Sequence, residues 1–174
     1  MSTTYEDIMS RRSIKKYRPD PVPQEILDKI LEAGTYAATA GGKQSPVIVF
    51  IESKETRDKV EELNCTSVGR PAGPAFYGAP HVAVVFAERG NGNSVQDASL
   101  VSANIMHAAH ALGIGSCWIN RAKESFETEE GKALMKEWGL DPEKYVGVSN
   151  MIMGYADTDP KPAPRKENYI VKVK

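Results

Sequence analysis

The sequence has few cysteines, no long apolar run and almost no net charge. Its two cysteines, Cys65 and Cys117, are too few for a disulfide framework or a four-cysteine zinc site. No apolar stretch approaches the roughly 18 residues that a membrane-spanning helix needs. With 22 Lys and Arg residues against 23 Asp and Glu residues, the formal net charge is −1. No global field therefore attracts nucleic acid or an anionic membrane, and any anion site must be local.

Three common functional signatures are also missing. The sequence contains no G-x-S-x-G, no P-loop and no G-x-G-x-x-G, so acyl transfer, NTP hydrolysis and Rossmann-type dinucleotide binding lack support. His107 and His110 stand three residues apart on a predicted helix, but no third ligand follows at a suitable spacing. We therefore expect no metal site. His81 opens a predicted strand, and we expect its role to be structural.

What is present is an ordinary globular composition. The 174 residues are 41% hydrophobic and 26% charged, which suits one domain with a sizeable core. The N-terminal stretch MSTTYEDIMSRRS is polar and contains acids, so we expect neither a secretory nor a transit peptide. The prediction is a single-domain cytoplasmic protein, with a body over residues 1–155 and an extended C-terminal arm over 156–174.

Apolar spacing and capping residues predict five helices. Thr3 and Glu6 have capping-box spacing, which starts the first helix at Thr3 or Thr4. A long helix over Ser94–Leu112 is apolar on most sides and ends at Gly113, so we expect it to be buried on most of its circumference, against the sheet or a partner subunit. The other helices are predicted over Pro23–Ala38, over Lys54–Leu63 with Ser53 as N-cap, and over Thr128–Trp138.

Four β-branched or aromatic runs predict strands. They cover Val47–Ile51, Val82–Ala87, Ser116–Asn120 and Tyr145–Tyr155. The segment Thr66–Pro80 holds three glycines and three prolines, which predicts a loop of a length that is often functional. In the tail, three prolines precede an alternation at Tyr169, Val171 and Val173. This pattern predicts an extended arm that ends in a strand and needs a sheet edge to pair with.

The densest charge lies in RRSIKKYR, residues 11–18, where five of eight residues are basic. One interpretation is a solvated helix end, where cations suit the C-terminal dipole. The other is a phosphate grip. Arg11 and Arg12 would supply planar forked donors, Ser13 a hydroxyl and Lys15 a mobile point charge. The residues alone leave both interpretations open.

The segment AATAGGKQSP, residues 37–46, joins the second helix to the first strand. Gly41 and Gly42 permit positive φ and a close approach of the backbone to a ligand. Gln44 carries an amide that can donate and accept hydrogen bonds together. The alternative is a helix C-cap followed by an ordinary turn.

The segment LGIGSCWIN, residues 112–120, forms a predicted helix-to-strand turn between Gly113 and Gly115. The turn directs Cys117 and Trp118 toward whatever lies beyond it. Both residue types are more often found packed in a core, where a free cysteine behaves as a small hydrophobe. We therefore expect no catalytic role for Cys117.

Taken in order, these segments resemble the FMN-dependent nitroreductase family (NAD(P)H:flavin oxidoreductase-like). The resemblance covers essentially the whole chain and rests on RRSIKKY, PVPQEILDKILEAGTYAATAGGKQSPVIVF, APHVAVVF, DASLVSANIMHAAHALGIGSCWI and GYADTDPKPAPRK. It implies an α+β fold of three layers, with a mixed, mostly antiparallel sheet flanked by helices, assembled as an intertwined homodimer. The chain departs from the family's frequent P-S-x-x-N and Q-P-W patterns between residues 38 and 46.

The resemblance also implies the cofactor contacts by position, with the chemistry on FMN and no catalytic side chain. At the phosphate and ribityl chain the implied contacts are Arg11, Arg12 and Ser13, with Arg165 reaching the phosphate from the arm and Lys166 as a second candidate. At the isoalloxazine they are Lys15 on the pyrimidine side and Trp118, Ile119 and Asn120 along the ring. The other subunit would contribute Thr39, Ala40 and Gly42, with Gln44 nearby. The arm would thus complete both the site and the dimer.

The implied function is NAD(P)H oxidation with a nitro compound, quinone or flavin as acceptor, in two steps through FMN N5. Its partners would be a small-molecule acceptor and a second copy of the chain, without nucleic acid or membrane. Two alternatives stay open. One is another flavin reaction on this fold, such as flavin reduction for export, reductive dehalogenation or azoline oxidation. The other is a flavin- or nucleotide-binding module without catalysis.

Overall fold

The computed structural model describes residues 3–174, and Met1 and Ser2, which begin the polar N-terminal stretch, lie outside the described residues. The described part contains six α-helices and four strands. In chain order they are α1 (Thr4–Ser10), α2 (Gln24–Thr35), β1 (Val47–Ile51), α3 (Lys54–Thr66), β2 (His81–Glu88), α4 (Ser94–Ala111), β3 (Gly115–Ile119), α5 (Ala122–Glu127), α6 (Glu129–Glu137) and β4 (Tyr145–Gly154).

The four strands form one sheet in the order β1-β2-β4-β3, and every neighbouring pair is antiparallel. The α+β class is confirmed, but the predicted mixed sheet is wrong for these strands. Within residues 3–174 the parallel pairing is a single bridge between Ser13 and Ser116, on the outer side of β3. One bridge is too short to make residues 11–18 a strand of the sheet.

Helices cover both faces of the sheet and give three layers. Strand β2 is one of the two interior strands, and every residue from Val82 to Ala87 has 0% exposure. On one face the core includes Phe86 and Phe126, packed with α3, α5 and α6. On the other face α2 and α4 pack through a core that includes Leu27 and Ile105. Each fully buried side chain of this size contributes roughly 1.5–3 kcal/mol.

Local signals account for most helix boundaries. The N–H of Glu6 donates to the Thr3 hydroxyl at 3.3 Å, and the N–H of Thr3 donates to the Glu6 carboxylate at 2.8 Å. This is the predicted capping box, and it satisfies two N–H groups at the start of α1. Ser53 caps α3 as predicted, by accepting from the N–H of Thr56 at 3.3 Å. Gly113 has φ of 76° and ends α4.

Three helix predictions need correction, and the first is α3, which continues to Thr66 rather than ending at Leu63. Helix α2 ends at Thr35 rather than Ala38, because the chain must turn there toward the 3₁₀ turn Ala40–Gly42. Helix α5 was not predicted. It has six residues and begins after the left-handed Arg121, and so short a segment shows too little periodicity to be recognised. Helix α4 packs on the sheet but leaves Val95 and Leu100 50% and 47% exposed in a single chain, so the expected burial against a partner subunit stays a prediction.

Within one chain, the described residues of the arm form no strand, and the predicted pairing with a sheet edge stays a prediction. After the bridge between Tyr17 and Ala156, residues 157–174 pair with no strand of the described chain. Residues 13–14 partly cover the outer edge of β3, and the other edge, β1, lies at the opposite side of the sheet. The arm therefore has no free edge next to it within this chain. Among residues 3–174, no helix has the length and apolar character to cross a membrane.

Candidate functional site

Residues 11–18, the basic segment, begin at the C-cap of α1 and continue as extended chain. Helix α1 ends at Ser10. Beyond it, the N–H of Ile14 donates to the carbonyl of Ser116 at 3.1 Å, and the N–H of Arg18 donates to the carbonyl of Tyr155 at 2.9 Å. The segment therefore lies along β3 and the end of β4. The helix-end interpretation holds for Arg11, which is the C-cap of α1, and for Arg12, whose guanidinium donates to the carbonyl of Met9 in the last turn. The other three cations of the segment lie beyond the helix.

A cleft of about 630 Å³, the basic cleft, opens between α1, the basic segment and the arm. It contains three guanidinium groups and one hydroxyl, and no carboxylate lines it. The lining residues are Ile8, Met9, Arg11, Arg12, Ser13, Pro162, Ala163 and Arg165. The fold thus brings together four of the residues that the sequence analysis assigned to a phosphate.

The guanidinium of Arg12 is held in place by the backbone. Its Nη1 donates to the carbonyls of Met9 at 2.8 Å and Arg11 at 2.7 Å. By contrast, the buried Nη1 of Arg11 and Nε of Arg12 have no hydrogen-bond partner among the described residues. A buried donor without an acceptor is costly, and the cost is larger for a charged group. The oxygen atoms of an anion in the cleft would supply the missing acceptors.

The arm contributes one of its two candidate cations to the basic cleft. Arg165 lines the cleft, and its Nη2 donates to the carbonyl of Ala163 at 2.9 Å. The Nζ of Lys166 instead lies 5.2 Å from the centre of the Tyr169 ring, and Lys166 does not line the cleft. Within one chain, Arg165 is therefore the arm residue placed to contact an anion.

A second cleft, of about 400 Å³, lies at the end of β3, and we call it the strand-end cleft. It brings Lys15 together with residues 118–120, as the resemblance implies. The loop after α3 forms its other wall. The lining residues are Lys15, Asn64, Cys65, Arg70, Gly73, Pro74, Ala75, Tyr77, Trp118, Ile119, Asn120 and Arg121.

Hydrogen bonds hold the end of β3 in position. The side-chain amide of Asn64, which is 1% exposed, donates to the carbonyl of Asn120 at 2.6 Å. The indole N–H of Trp118 donates to the side-chain oxygen of Asn120 at 2.7 Å. Across the cleft, the Nζ of Lys15 lies 5.7 Å from the centre of the Tyr77 ring. The cleft therefore has a fixed polar floor and an aromatic wall.

Several residues of this cleft were not predicted from the sequence. The length of the loop over 66–80 indicated a functional segment, but no residue in it was named. Arg70 and Tyr77 come from that loop, and Arg121 lies two residues after the end of β3. An arginine with φ of 77° is not visible in a sequence, because the backbone there favours glycine and nothing in the letters signals it.

Cys117 lies beside the basic segment but lines none of these clefts. It is 3% exposed and belongs to the buried cluster that contains Ile14 and Tyr17. Burial raises the pKa of its thiol, and the hydrogen bond with Ser13 and the nearby cations only partly oppose this. A protonated, buried thiol is a poor nucleophile.

Two of the three histidines have hydrogen-bond partners that suit structural roles, whereas the buried Nδ1 of His107 has none among the described residues. The Nε2 of His81 accepts from the N–H of Val22 at 3.0 Å, and burial lowers the pKa of the imidazole. The predicted structural role is confirmed. His110 Nε2 lies 2.7 Å from the Ser10 hydroxyl. Within the described part of the chain, no group of three or more His, Cys, Asp or Glu residues could hold a metal ion.

In the loop over residues 37–46, two glycines adopt positive φ, as predicted. Gly41 and Gly42 have φ of 62° and 67°. The loop is anchored to α4, because the N–H of Ala40 donates to the carboxylate of Asp97 at 3.1 Å and 3.2 Å. Asp97 is only 4% exposed, so this contact is well shielded from water.

Thr39 and Gln44 line a third cleft, of about 370 Å³, together with residues of α2, β1 and α4. This loop cleft shares no lining residue with the basic cleft or the strand-end cleft. Within a single chain, the 39–44 residues that the resemblance assigns to FMN are therefore not brought to Lys15 or Arg11.

Comparison with known proteins agrees with this architecture. A model of the nitroreductase family matches residues 8–155. The chain is 30% identical over 159 residues to a Methanothermobacter thermautotrophicus protein provisionally named NADH dehydrogenase/NAD(P)H nitroreductase, covering 89% of this chain and 78% of that protein. It is 24% identical to the NADPH-flavin oxidoreductase of Vibrio harveyi over 98% of this chain and 73% of that protein.

Solved structures show the same fold. A nitroreductase with bound FMN from Bacteroides fragilis matches with a TM-score of 0.87, at 23% identity and with 100% of both chains covered. Likeness at this identity establishes the fold, and the family model establishes the family because it matches most of the chain. The four-stranded antiparallel sheet, the helices on both its faces and the match over residues 8–155 together show that this protein belongs to the nitroreductase family.

Proposed function

We propose that the protein is an FMN-dependent NAD(P)H oxidoreductase that reduces nitro compounds, quinones or flavins. The observation that carries the proposal is the basic cleft. Its three guanidiniums include two buried nitrogens with no acceptor among the described residues, and Lys15 of the same segment lines the neighbouring strand-end cleft. The names of the relatives support the same activity.

In this proposal the basic cleft holds the phosphate of FMN. Arg11 and Arg12 would donate from their free guanidinium nitrogens, Ser13 would donate its hydroxyl, and Arg165 would close the cleft from the arm. Charge-assisted hydrogen bonds to phosphate are about twice as strong as neutral ones. The backbone bonds that hold Arg12 reduce the ordering that binding requires.

The strand-end cleft would hold the isoalloxazine. When bound, FMN accepts a hydride from NAD(P)H at N5 and passes the electrons to the acceptor. Lys15 would place a positive charge at the pyrimidine side. Residues 118–120 would present backbone amides to the ring from a strand end that Asn64 holds in place. Groups that are already oriented cost little reorganisation as charge develops.

A second copy of the chain would complete the site. Thr39, Ala40, Gly42 and Gln44 line or flank a cleft away from the other two, so they would reach the flavin from the partner. The exposed apolar residues favour such a dimer. They are Tyr5, Ile8 and Met9 on α1, Val95 and Leu100 on α4, and Tyr169, Ile170, Val171 and Val173 on the arm. The arm over 156–174 would then belong functionally to the dimer rather than to its own body.

The test is the visible spectrum of the purified protein before and after anaerobic addition of NADH or NADPH. We expect bound FMN, loss of its absorbance near the flavin maximum on reduction, and recovery when a quinone or nitro compound is added. A protein that binds FMN but is not reduced by either nucleotide would be a flavin-binding module instead. A protein that does not bind FMN at all contradicts the proposal.

A further inference from the structure

The strand-end cleft contains three cations and no acid. Lys15, Arg70 and Arg121 are among its lining residues, and no Asp or Glu is. None of the three forms an ion pair within residues 3–174. Because the whole chain carries 23 acids and 22 bases, this imbalance is a local feature of the cleft.

The backbone at Arg121 indicates that its side chain matters. Its φ is 77°, in the left-handed region where glycine is favoured. Tyr77, on the opposite wall, has φ of 54°. Left-handed non-glycine residues cost free energy and are concentrated at functional sites. Glycine at position 121 would relieve the strain but would remove a half-buried guanidinium from the cleft.

Arg70 faces the same cleft from the loop after α3. Its N–H donates to the carbonyl of Cys65 at 3.2 Å, which ties this part of the loop to the end of α3. Its side chain is exposed and has no carboxylate partner. The rings of Trp118 and Tyr77 line the same cleft, and low-dielectric walls strengthen the attraction between fixed cations and an anion.

We infer that Arg70 and Arg121 bind an oxyanion on the substrate, a carboxylate, sulfonate or phosphate, and so select anionic substrates over neutral ones. The inference rests on the proposed function, which assigns Lys15 to the flavin and gives these two arginines no role. The oxyanion could belong to the electron acceptor or to the phosphates of the dinucleotide. Either oxyanion would accept hydrogen bonds from the two guanidiniums in the same way, and the two arms of the experiment separate the two sources.

The first arm compares 4-nitrobenzoate with 4-nitrobenzamide, which match in size and aromatic ring and differ in charge. Binding is measured by calorimetry on the oxidised protein, so that no turnover is needed. We expect nitrobenzoate to bind about five-fold more tightly, and Arg70→Gln and Arg121→Gly each to reduce that preference several-fold. Lys123→Gln is the matched control, because Lys123 is an exposed cation on α5 outside the cleft. Higher salt should reduce the preference in the wild type.

The second arm compares NADPH and NADH with 1-benzyl-1,4-dihydronicotinamide, a hydride donor that carries no phosphate. If the arginine variants raise KM for the dinucleotides about five-fold and leave the benzyl compound unchanged, the dinucleotide is the source of the oxyanion. If the arginine variants change neither the preference for nitrobenzoate nor the KM for the dinucleotides, the inference is wrong. A colourless protein that still prefers nitrobenzoate would contradict the proposed function and support the inference.

Discussion

Two extended segments lie side by side at the end of the sheet, and they differ in how much of their own chain they contact. The basic segment, residues 11–18, has Ile14 and Tyr17 buried at 7% and 8% exposure. The arm begins in the same way, because the N–H of Asp157 donates to the carbonyl of Lys16 at 3.0 Å and the two side chains form an ion pair at 2.6 Å. Residues 161–174 are exposed throughout.

This difference in burial between the two segments does not come from their composition. The end of the arm is more apolar than the basic segment, yet Tyr169 and Val173 are 71% and 92% exposed. The basic segment is partly buried because β3 offers backbone partners and a core next to it. Residues 161–174 of the arm have neither among the described residues of their own chain. Large apolar side chains that find no neighbour in one chain are typical of a surface that another molecule covers. Four predictions test this contrast between the basic segment and the arm.

The largest effect is expected from removing residues 161–174. We expect the truncated protein to lose both FMN and the dimer, because Arg165 and the exposed apolar residues leave together. Light scattering with flavin quantitation measures both, and circular dichroism confirms that the body folds. Lys172→Ser is the control, since it changes the arm without touching its apolar alternation. A truncated dimer with a full content of flavin would make the arm a dispensable tail.

Arg11→Ala should weaken FMN binding at least about ten-fold. Hydrogen bonds to charged groups contribute about 1.5–3 kcal/mol, and 1.4 kcal/mol is one decade of affinity. Arg165→Ala should cost less, because Arg165 is exposed. Lys16→Ala is the control, since Lys16 pairs with Asp157 outside the cleft. Fluorescence titration with FMN measures the affinities, and an unchanged value for Arg11→Ala would exclude the phosphate assignment.

A matched pair of tyrosine variants compares the two segments directly. The hydroxyl of Tyr17 donates to the carbonyl of Ile14 at 2.8 Å inside the core, and burial raises the pKa of the phenol. Tyr17→Phe should lower the free energy of unfolding by about 1 kcal/mol, because the carbonyl loses a buried partner. Tyr169→Phe should change it by less than about 0.5 kcal/mol. Urea unfolding gives both values, and equal losses would contradict the contrast between the segments.

The smallest effect is expected at Cys117, which packs against the basic segment. Cys117→Ser should keep the rate of flavin reduction by NAD(P)H within a few-fold, because the thiol is buried and protonated and lines none of the clefts described above. Stopped-flow measurement of the flavin absorbance decides the point. A loss of about 100-fold with FMN still bound, some 2.7 kcal/mol of barrier, would make the thiol a participant.

Local signals in the sequence were enough to predict most of the elements. The β-branched run at Val47–Ile51, the capping box at Thr3 and the glycine after α4 each act within a few residues, so the pattern and the structure agree there. Helix α5 and the end of α2 were missed or misplaced. Their boundaries depend on Arg121 and on the bond between Ala40 and Asp97, which joins residues 57 positions apart.

The sequence by itself determined the family, the α+β class and the cluster of guanidinium and hydroxyl groups at residues 11–13, because these follow from motif order and local chemistry. Only the tertiary structure decided which residues meet. It put Arg165 rather than Lys166 into the basic cleft, made Arg70 and Arg121 neighbours of Lys15, and separated Thr39 and Gln44 from both. The physical reason is distance along the chain: contacts between remote segments depend on how the helices pack on the sheet, and no local pattern encodes that packing.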